Sequence, residues 1–423
     1  MSGRDHPVDP SAPDLVHITQ VARTWSMPVR AALDALASEL VALRRQLHMQ
    51  PELSWQEHRT TELIAERLRI AGLDPQPLSI GTGLVCDIGN TTSGRFVVLR
   101  ADIDALAMNE LADVPYRSRI DGVAHACGHD AHSAIVLGAG LAIAQARDQI
   151  ASGEWGVRLI FEPGEENVPG GAVRIVEDGW LNGATSVFGV HCDPRIDVGL
   201  IGLRRGAITS ASDLLTIRLF GPGGHTARPQ LTVDLVRVAA DVVRELPDEV
   251  RRSAADLGAA NVVFGALHTG DAANVIPSRA ELSATFRTPD AVVWGDAEVL
   301  MRDALEKVLV GTGATYELDH VRGVPPVVND EAEARLMAAV AEASEGEGAV
   351  IPTQQSLGGD SFAWYLQQVP GAYARLGVHN ADGDRARVDL HSSEFDLDER
   401  AIPVGARLLA MTALTVVTTA PTH

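Results

Sequence analysis

The segment His125-Ala-Cys127-Gly-His129-Asp130-Ala-His132 places three histidines, one cysteine and one aspartate within eight residues. Cys127 and His129 stand two apart, with Gly128 between them to permit a tight backbone. Thiolate and imidazole are good ligands for borderline metals such as zinc, manganese, cobalt and nickel. A second cluster, Glu162-Pro-Gly-Glu165-Glu166, directly follows an apolar run. Adjacent carboxylates point in different directions, so one can bind metal while its neighbour serves as general base to a water there, as hydrolysis at neutral pH requires. His191 and His391 each read alone as structural histidines. Their place among the other clusters is what suits a cocatalytic metal pair. In Arg100-Ala-Asp102-Ile-Asp104, either Asp102 or Asp104 is placed to orient a ligand imidazole.

Such groups need elements that end where the groups begin. Helical spacing runs from about Met27 to Ala71 and is broken at Pro51, which predicts two helices. Short β-branched runs from Gly81 and Arg95–Arg100 predict strands. Helix Ala131–Ala146, strand Gly156–Phe161, helix Ala172–Glu177 and strand Ser186–Val190 follow. Strands alternating with helices predict an α/β layer structure with a substantially parallel sheet, and such sheets place their sites at strand-to-helix junctions. From Ser210 to Pro325 the order changes to strand Asp213–Phe220, helix Thr232–Arg244, strands Asn261–His268 and Arg279–Phe286, helix Ala297–Leu309 and strand Thr315–His320. That is βαββαβ, a ferredoxin-like unit. Helices Glu331–Ala343 and Arg400–Thr418 resume the first pattern. The simplest architecture is a discontinuous dinuclear-metal catalytic domain, 27–209 and 326–423, interrupted by an inserted lid, 210–325, and preceded by an N-terminal extension, 1–26.

Fifty-six acidic against 35 basic residues give a formal charge of −21, a field that repels nucleic-acid backbones. We expect no run apolar enough to cross a bilayer and no secretory signal in the polar residues 1–14, hence a cytoplasmic protein with no membrane partner. Three scattered cysteines, Cys86, Cys127 and Cys192, make no disulfide framework, and no Cys-x-x-Cys pair supports a thiol redox role.

These clusters resemble, in order and over nearly the whole chain, the M20 metallopeptidase family and its D subfamily of N-acyl-amino-acid amidohydrolases, which includes hippurate and auxin-conjugate hydrolases. The matching stretches are Arg44-Arg-Gln-Leu-His-Met-Gln-Pro-Glu-Leu-Ser, the His125–His132 run, Glu165-Glu166, Gly189-Val-His-Cys, Gly221-Pro-Gly-Gly-His225, Gly270-Asp-Ala-Ala-Asn274-Val-Ile-Pro and Leu390-His391-Ser. The resemblance implies two divalent ions per chain, zinc or manganese first and cobalt or nickel next, held by Cys127, His129, Glu166, His191 and His391. It implies Glu165 as general base, activating a water that bridges the ions, and Asp104 as an orienting carboxylate. His225 and Asn274 then bind the scissile carbonyl and the substrate carboxylate, and Arg287 is suited to a bidentate carboxylate contact. The implied activity is cleavage of N-acyl amino acids at the amide bond beside a free carboxylate. The alternative is a metallo-carboxypeptidase or dipeptidase of the same fold, and the implied partners are the small-molecule N-acyl amino acid or short peptide and a homodimer formed through the lid. Two positions depart from the family: Ala107 stands where Pro is usual, and Asp360-Ser361-Phe362 where Glu-Asp-Phe is usual.

Overall fold

The computed structural model describes residues 15–92, 95–147, 155–255, 259–383 and 386–419. The chain divides into two compact units. The first takes residues up to Gly206, Val328–Gln354 and Trp364 onward; the second takes Ala207–Val327 and Gln355–Ala363.

In the first unit an eight-stranded sheet runs in the order Pro75–Pro77, Leu84–Gly89, Gly156–Glu162, Phe96–Asp102, Ala184–Asp197, Gly371–His379, Ile201–Leu203, Val350–Pro352. Gly156–Glu162, Phe96–Asp102, Ala184–Asp197 and Gly371–His379 are mutually parallel, so their C-terminal ends reach one edge together. Antiparallel strands flank them on both sides. Val97, Leu99 and Ala101 alternate with Val98, Arg100 and Asp102, and the first set joins the core under helices Leu15–Met49, His129–Ala146 and Ala401–Thr419.

Several expectations need correction. Residues 15–26 are no extension: Ile18, Ala22, Trp25 and Val29 continue the buried stripe at helical spacing, so the first helix starts at Leu15. Strand Gly371–His379, buried through Val378, was not foreseen, because small residues on both faces give it no alternation. Helix Ala401–Thr419 is long and apolar enough to cross a bilayer, contrary to the expectation of no such run. In this unit 78% of that stretch is buried, and its single basic residue, Arg407, is paired bidentately to Glu345 at 2.6 Å. It is a core helix.

The second unit is a four-stranded antiparallel sheet in the order Asn261–Thr269, Arg279–Thr288, Ala211–Phe220, Thr315–Val324, with Leu235–Ser253 and Ala297–Leu309 as its long helices. Strand order 2-3-1-4 with two helical crossovers is the ferredoxin-like arrangement. Its first helix begins at Leu235 rather than Thr232, because Asp234 caps it by accepting from the Arg237 amide. Gln355–Ala363, read from sequence as catalytic-domain chain, belongs to this unit.

One buried network ties the first unit together. Arg44, on the first helix and closed to solvent, lies 2.7 Å from Asp130, 3.3 Å from Glu399 and 3.5 Å from Asp396. His48, one turn on, sits 2.7 Å from Asp130 and 3.0 Å from Glu110, so both its ring nitrogens face carboxylates. Burial and the neighbouring Arg44 work against a charged His48, but Asp130 and Glu110 together raise it above the ordinary imidazole value. Removing one member of such a network strands the others as buried charges. Arg44→Met should therefore destabilise the protein by about 3–5 kcal/mol, read as a lowered midpoint in chemical denaturation. A midpoint within error of the parent would show that the network carries no stability.

Candidate metal centre

The parallel strand ends deliver the chemistry. Gly128 caps helix His129–Ala146 with φ 90°, and a Cβ there would stand 3.0 Å from both Cβ and Sγ of Cys192. Only glycine fits, and it is what turns Cys127 and His129 inward together. His129 Nδ1 donates to the Asp104 carbonyl at 2.9 Å, with Asp104 Oδ1 at 3.2 Å, which turns Nε2 toward Glu166, 3.9 Å from its Oε1. His191 Nδ1 donates to the Cys192 carbonyl at 2.7 Å, and its Nε2 lies 3.6 Å from Cys127 Sγ. His391 holds φ 61°, a left-handed conformation uncommon outside glycine, and its amide donates to the Ala126 carbonyl at 2.8 Å. That bond fixes the His391 loop against the Cys127 loop. His391 Nε2 is then 3.3 Å from Glu166 Oε1.

Two trios share Cys127. Ligand atoms of Cys127, His129 and His191, and those of Cys127, Glu166 and His391, lie within 4.8 Å of one another. A Glu165 oxygen lies within the same reach of His129 and Glu166. His129 Nε2 and Glu166 Oε1 are buried and have no hydrogen-bond partner among the described residues. Desolvation alone would lower His129, but Asp102, Cys127 and Asp104 hold it well above the ordinary imidazole range. Burial pushes the Cys127 thiol up. A bound dication reverses that shift, since a coordinating thiol loses its proton outright. The donor set, its orphaned atoms and its negative surroundings fit divalent metal.

The remaining histidines of the motif do other work. Ligand atoms of a third trio, Asp102, His129 and His132, also lie within 4.8 Å of one another, but His132 is spent: Nδ1 donates to Asp102 at 2.6 Å and Nε2 accepts from the Cys192 amide at 2.9 Å. Asp102 also takes Arg100 Nη1 at 2.6 Å. His125 is in none of these trios, and burial pushes its imidazole down to about 4, so it is neutral. Asp104 also links the His129 and Glu166 segments, since its Oδ2 accepts from the Glu166 amide at 3.0 Å and from Ser54 at 2.7 Å. Ser54, Trp55 and Glu57 were not singled out from sequence. Glu57 accepts from the Gly164 amide at 2.8 Å, and a side chain at Gly164 would collide with the Trp55 ring, so this turn braces the loop that carries Glu165. The Pro51-Glu52-Leu53-Ser54 stretch of the resemblance was the available signal.

The second unit holds the other expected residues. His225 and Asn274 come together: Gly224–His225 pairs with Val275–Ile276 as a two-stranded ribbon, and both side chains are exposed. Arg287 does not join them. It pairs with Ser212, eight residues along the strand from the Phe220–Arg279 pair next to the ribbon, a distance of about 27 Å at strand rise. Its Nη1 donates to the Leu357 carbonyl. Asp360 accepts from the Phe362 amide at 2.9 Å and is buried with Ser361.

The family model for peptidase family M20/M25/M40 matches residues 98–415, and the chain belongs to that family. N-acetyl-L-cysteine deacetylase of Bacillus subtilis (strain 168) is 35% identical over 370 residues, covering 88% of this chain and 86% of its own. The solved YXEP protein of Bacillus subtilis, described as a dinuclear metal binding peptidase of the M20 family, superposes with TM-score 0.79 at 30% identity, covering 91% of this chain and 99% of its own. A protein of Rhodococcus jostii (strain RHA1) named for glutamate–cysteine ligase is 43% identical over 378 residues, 89% of this chain. This chain spans only 46% of that relative's length, so the ligase name describes the longer protein. Family and site together define a metal-dependent amidohydrolase.

Because Cys127 belongs to both trios, Cys127→Ala should lose metal rather than merely slow turnover. Elemental analysis of the purified variant should show occupancy well below that of the parent; full occupancy would remove Cys127 from the ligand set.

Proposed function

We propose that the protein hydrolyses N-acyl amino acids at the amide bond beside a free carboxylate, with two divalent ions, zinc or manganese first and cobalt or nickel next, held by Cys127, His129, Glu166, His191 and His391. The observation that carries this reading is the pair of donor trios sharing Cys127, with Glu165 alongside. Bound ions would supply a Lewis acid for the carbonyl and lower the pKa of the attacking water. Glu165 takes the proton from that water and passes it to the leaving amine nitrogen as the C–N bond breaks. Asp104 holds His129 and the Glu166 backbone in place for this. His225 donates to the developing oxyanion, and Asn274 and Arg287 take the substrate carboxylate. Within one chain the ribbon and Arg287 are too far apart to grip one small substrate. A homodimer, in which they come from different copies, removes that conflict. We place the enzyme in the cytoplasm, in keeping with three free, buried cysteines.

The direct test is a panel of N-acyl amino acids and dipeptides with metal-loaded enzyme. Turnover of the acyl compounds is expected, and faster turnover of dipeptides would favour a peptidase instead. In Glu165→Gln, kcat should fall by about 10²–10⁴-fold with metal retained, since the water loses its proton acceptor. Near-parental kcat would place the base elsewhere. His225→Ala should lower kcat and kcat/KM together by about 10²–10³-fold with metal content unchanged. A change in KM alone would make His225 a ground-state contact.

A further inference from the structure

The metal edge of the sheet carries a row of side chains, one from each parallel strand. Glu162 pairs with Asp102, and Arg375 pairs with His191. His191 stands two residues beyond Gly189, the partner of Arg100, and is therefore level with Asp102. Their chain neighbours Phe161, Ala101, Cys192 and Ala374 point into the helical core, so the row lies on the opposite face.

Three of the four are well partnered. Glu162 accepts from Arg100 Nε at 2.7 Å, Tyr365 at 2.9 Å and the Ala172 amide at 2.8 Å. Asp102 is held by Arg100 and His132, and His191 by the Cys192 carbonyl. Arg375 is the exception. It is only 6% exposed, its Nε is buried without a hydrogen-bond partner, and its side chain makes no hydrogen bond or ion pair among the described residues. Asp193, near enough to feel its charge, is already bound by Arg195 at 2.9 and 2.7 Å. The Tyr373 ring, centred 6.0 Å from Arg375 Cζ, offers a π face and no acceptor for the guanidinium fork. A guanidinium this deeply buried, with Nε unbonded and the Asp193 carboxylate already claimed by Arg195, is expensive to maintain, and its planar fork matches a carboxylate.

We propose that Arg375 is a substrate-binding residue for a second carboxylate, so that the preferred substrates are N-acyl amino acids carrying an acid beyond the one beside the scissile amide. This rests on the hydrolase reading above, in which Asn274 and Arg287 take the first carboxylate. The second acid can sit on the acyl chain or on the amino-acid side chain; the chemistry at Arg375 is the same.

The test compares each acid with a neutral counterpart on the metal-loaded, full-length enzyme: N-succinyl-alanine with N-butyryl-alanine for the acyl side, N-acetyl-glutamate with N-acetyl-glutamine for the other. In at least one pair kcat/KM should favour the acid by about 10–100-fold, carried mainly by KM. Arg375→Met should bring that ratio to about one, and Arg375→Lys, a cation without the fork, should restore part of it. A purely structural role predicts equal losses within each pair and an unchanged ratio, which would overturn the proposal. So would a parental ratio at or below one in both pairs, whether or not the variants fold. Calorimetric titration of succinate against butyrate into the metal-loaded enzyme gives a readout independent of turnover. The parent should prefer succinate and Arg375→Met should not; equal preference in both overturns the assignment. If no N-acyl compound is turned over, the proposed function fails, while the calorimetry still decides Arg375.

Discussion

Arg44 has no contact with solvent, and its guanidinium reaches three carboxylates that lie far apart in the chain. Asp130 directly follows His129. Asp396 and Glu399 lie a few residues beyond His391. The first helix therefore holds by charge the two loops whose histidines must face one another, and it does so behind the site, where no substrate competes. Burial opposes each ion taken singly, and the geometry repays that only when every partner is present. Asp130 shows the balance: against desolvation, Arg44 and His48 hold it far below the ordinary carboxylate range.

Given that frame, lone-pair direction becomes the next constraint. A neutral imidazole offers one lone pair, and whichever nitrogen carries the proton decides where it points. Backbone carbonyls settle this for His129 and His191 by claiming each Nδ1 hydrogen, so both Nε2 atoms turn to the Cys127 side. His132 meets the opposite fate, with an acceptor and a donor closing both nitrogens. Three histidines of one short stretch thus become a donor, a strut and, in His125, a neutral buried ring. The difference lies entirely in their neighbours.

This explains how much could be read in advance. The ligand types and their order are local patterns, visible as Cys127-Gly-His129 and Glu165-Glu166, and the βαββαβ order follows from local periodicity alone. What stayed hidden depends on register and long-range contact. Asp102 and Asp104 have the same chain context, and only the fold sends the first to His132 and the second to His129. Ser54 and Glu57 act through bonds to residues 50 and 107 positions away. Arg287 matched a motif, yet strand pairing sets it at the far end from His225. The apolar pattern of Ala401–Thr419 carried no mark of whether protein or lipid would cover it; the buried Arg407–Glu345 pair is what fits it to a protein core.

The row Glu162, Asp102, His191, Arg375 also orders charge across the sheet. Arg100 bridges the two carboxylates at 2.7 and 2.6 Å, neutralising much of the negative end and leaving Asp102 to fix His132. At the other end burial, with Arg375 second, holds His191 well below its ordinary pKa. A neutral imidazole is the form that binds metal. Arg375 would also repel a metal ion, which the carboxylate of Glu166 opposes. The polarity is directional: the Glu166 carboxylate lies on the Cys127 side, and the Arg375 guanidinium lies beside His191. An amide held over this edge would thus meet a field that draws negative charge toward Arg375, whichever end of the substrate supplies it.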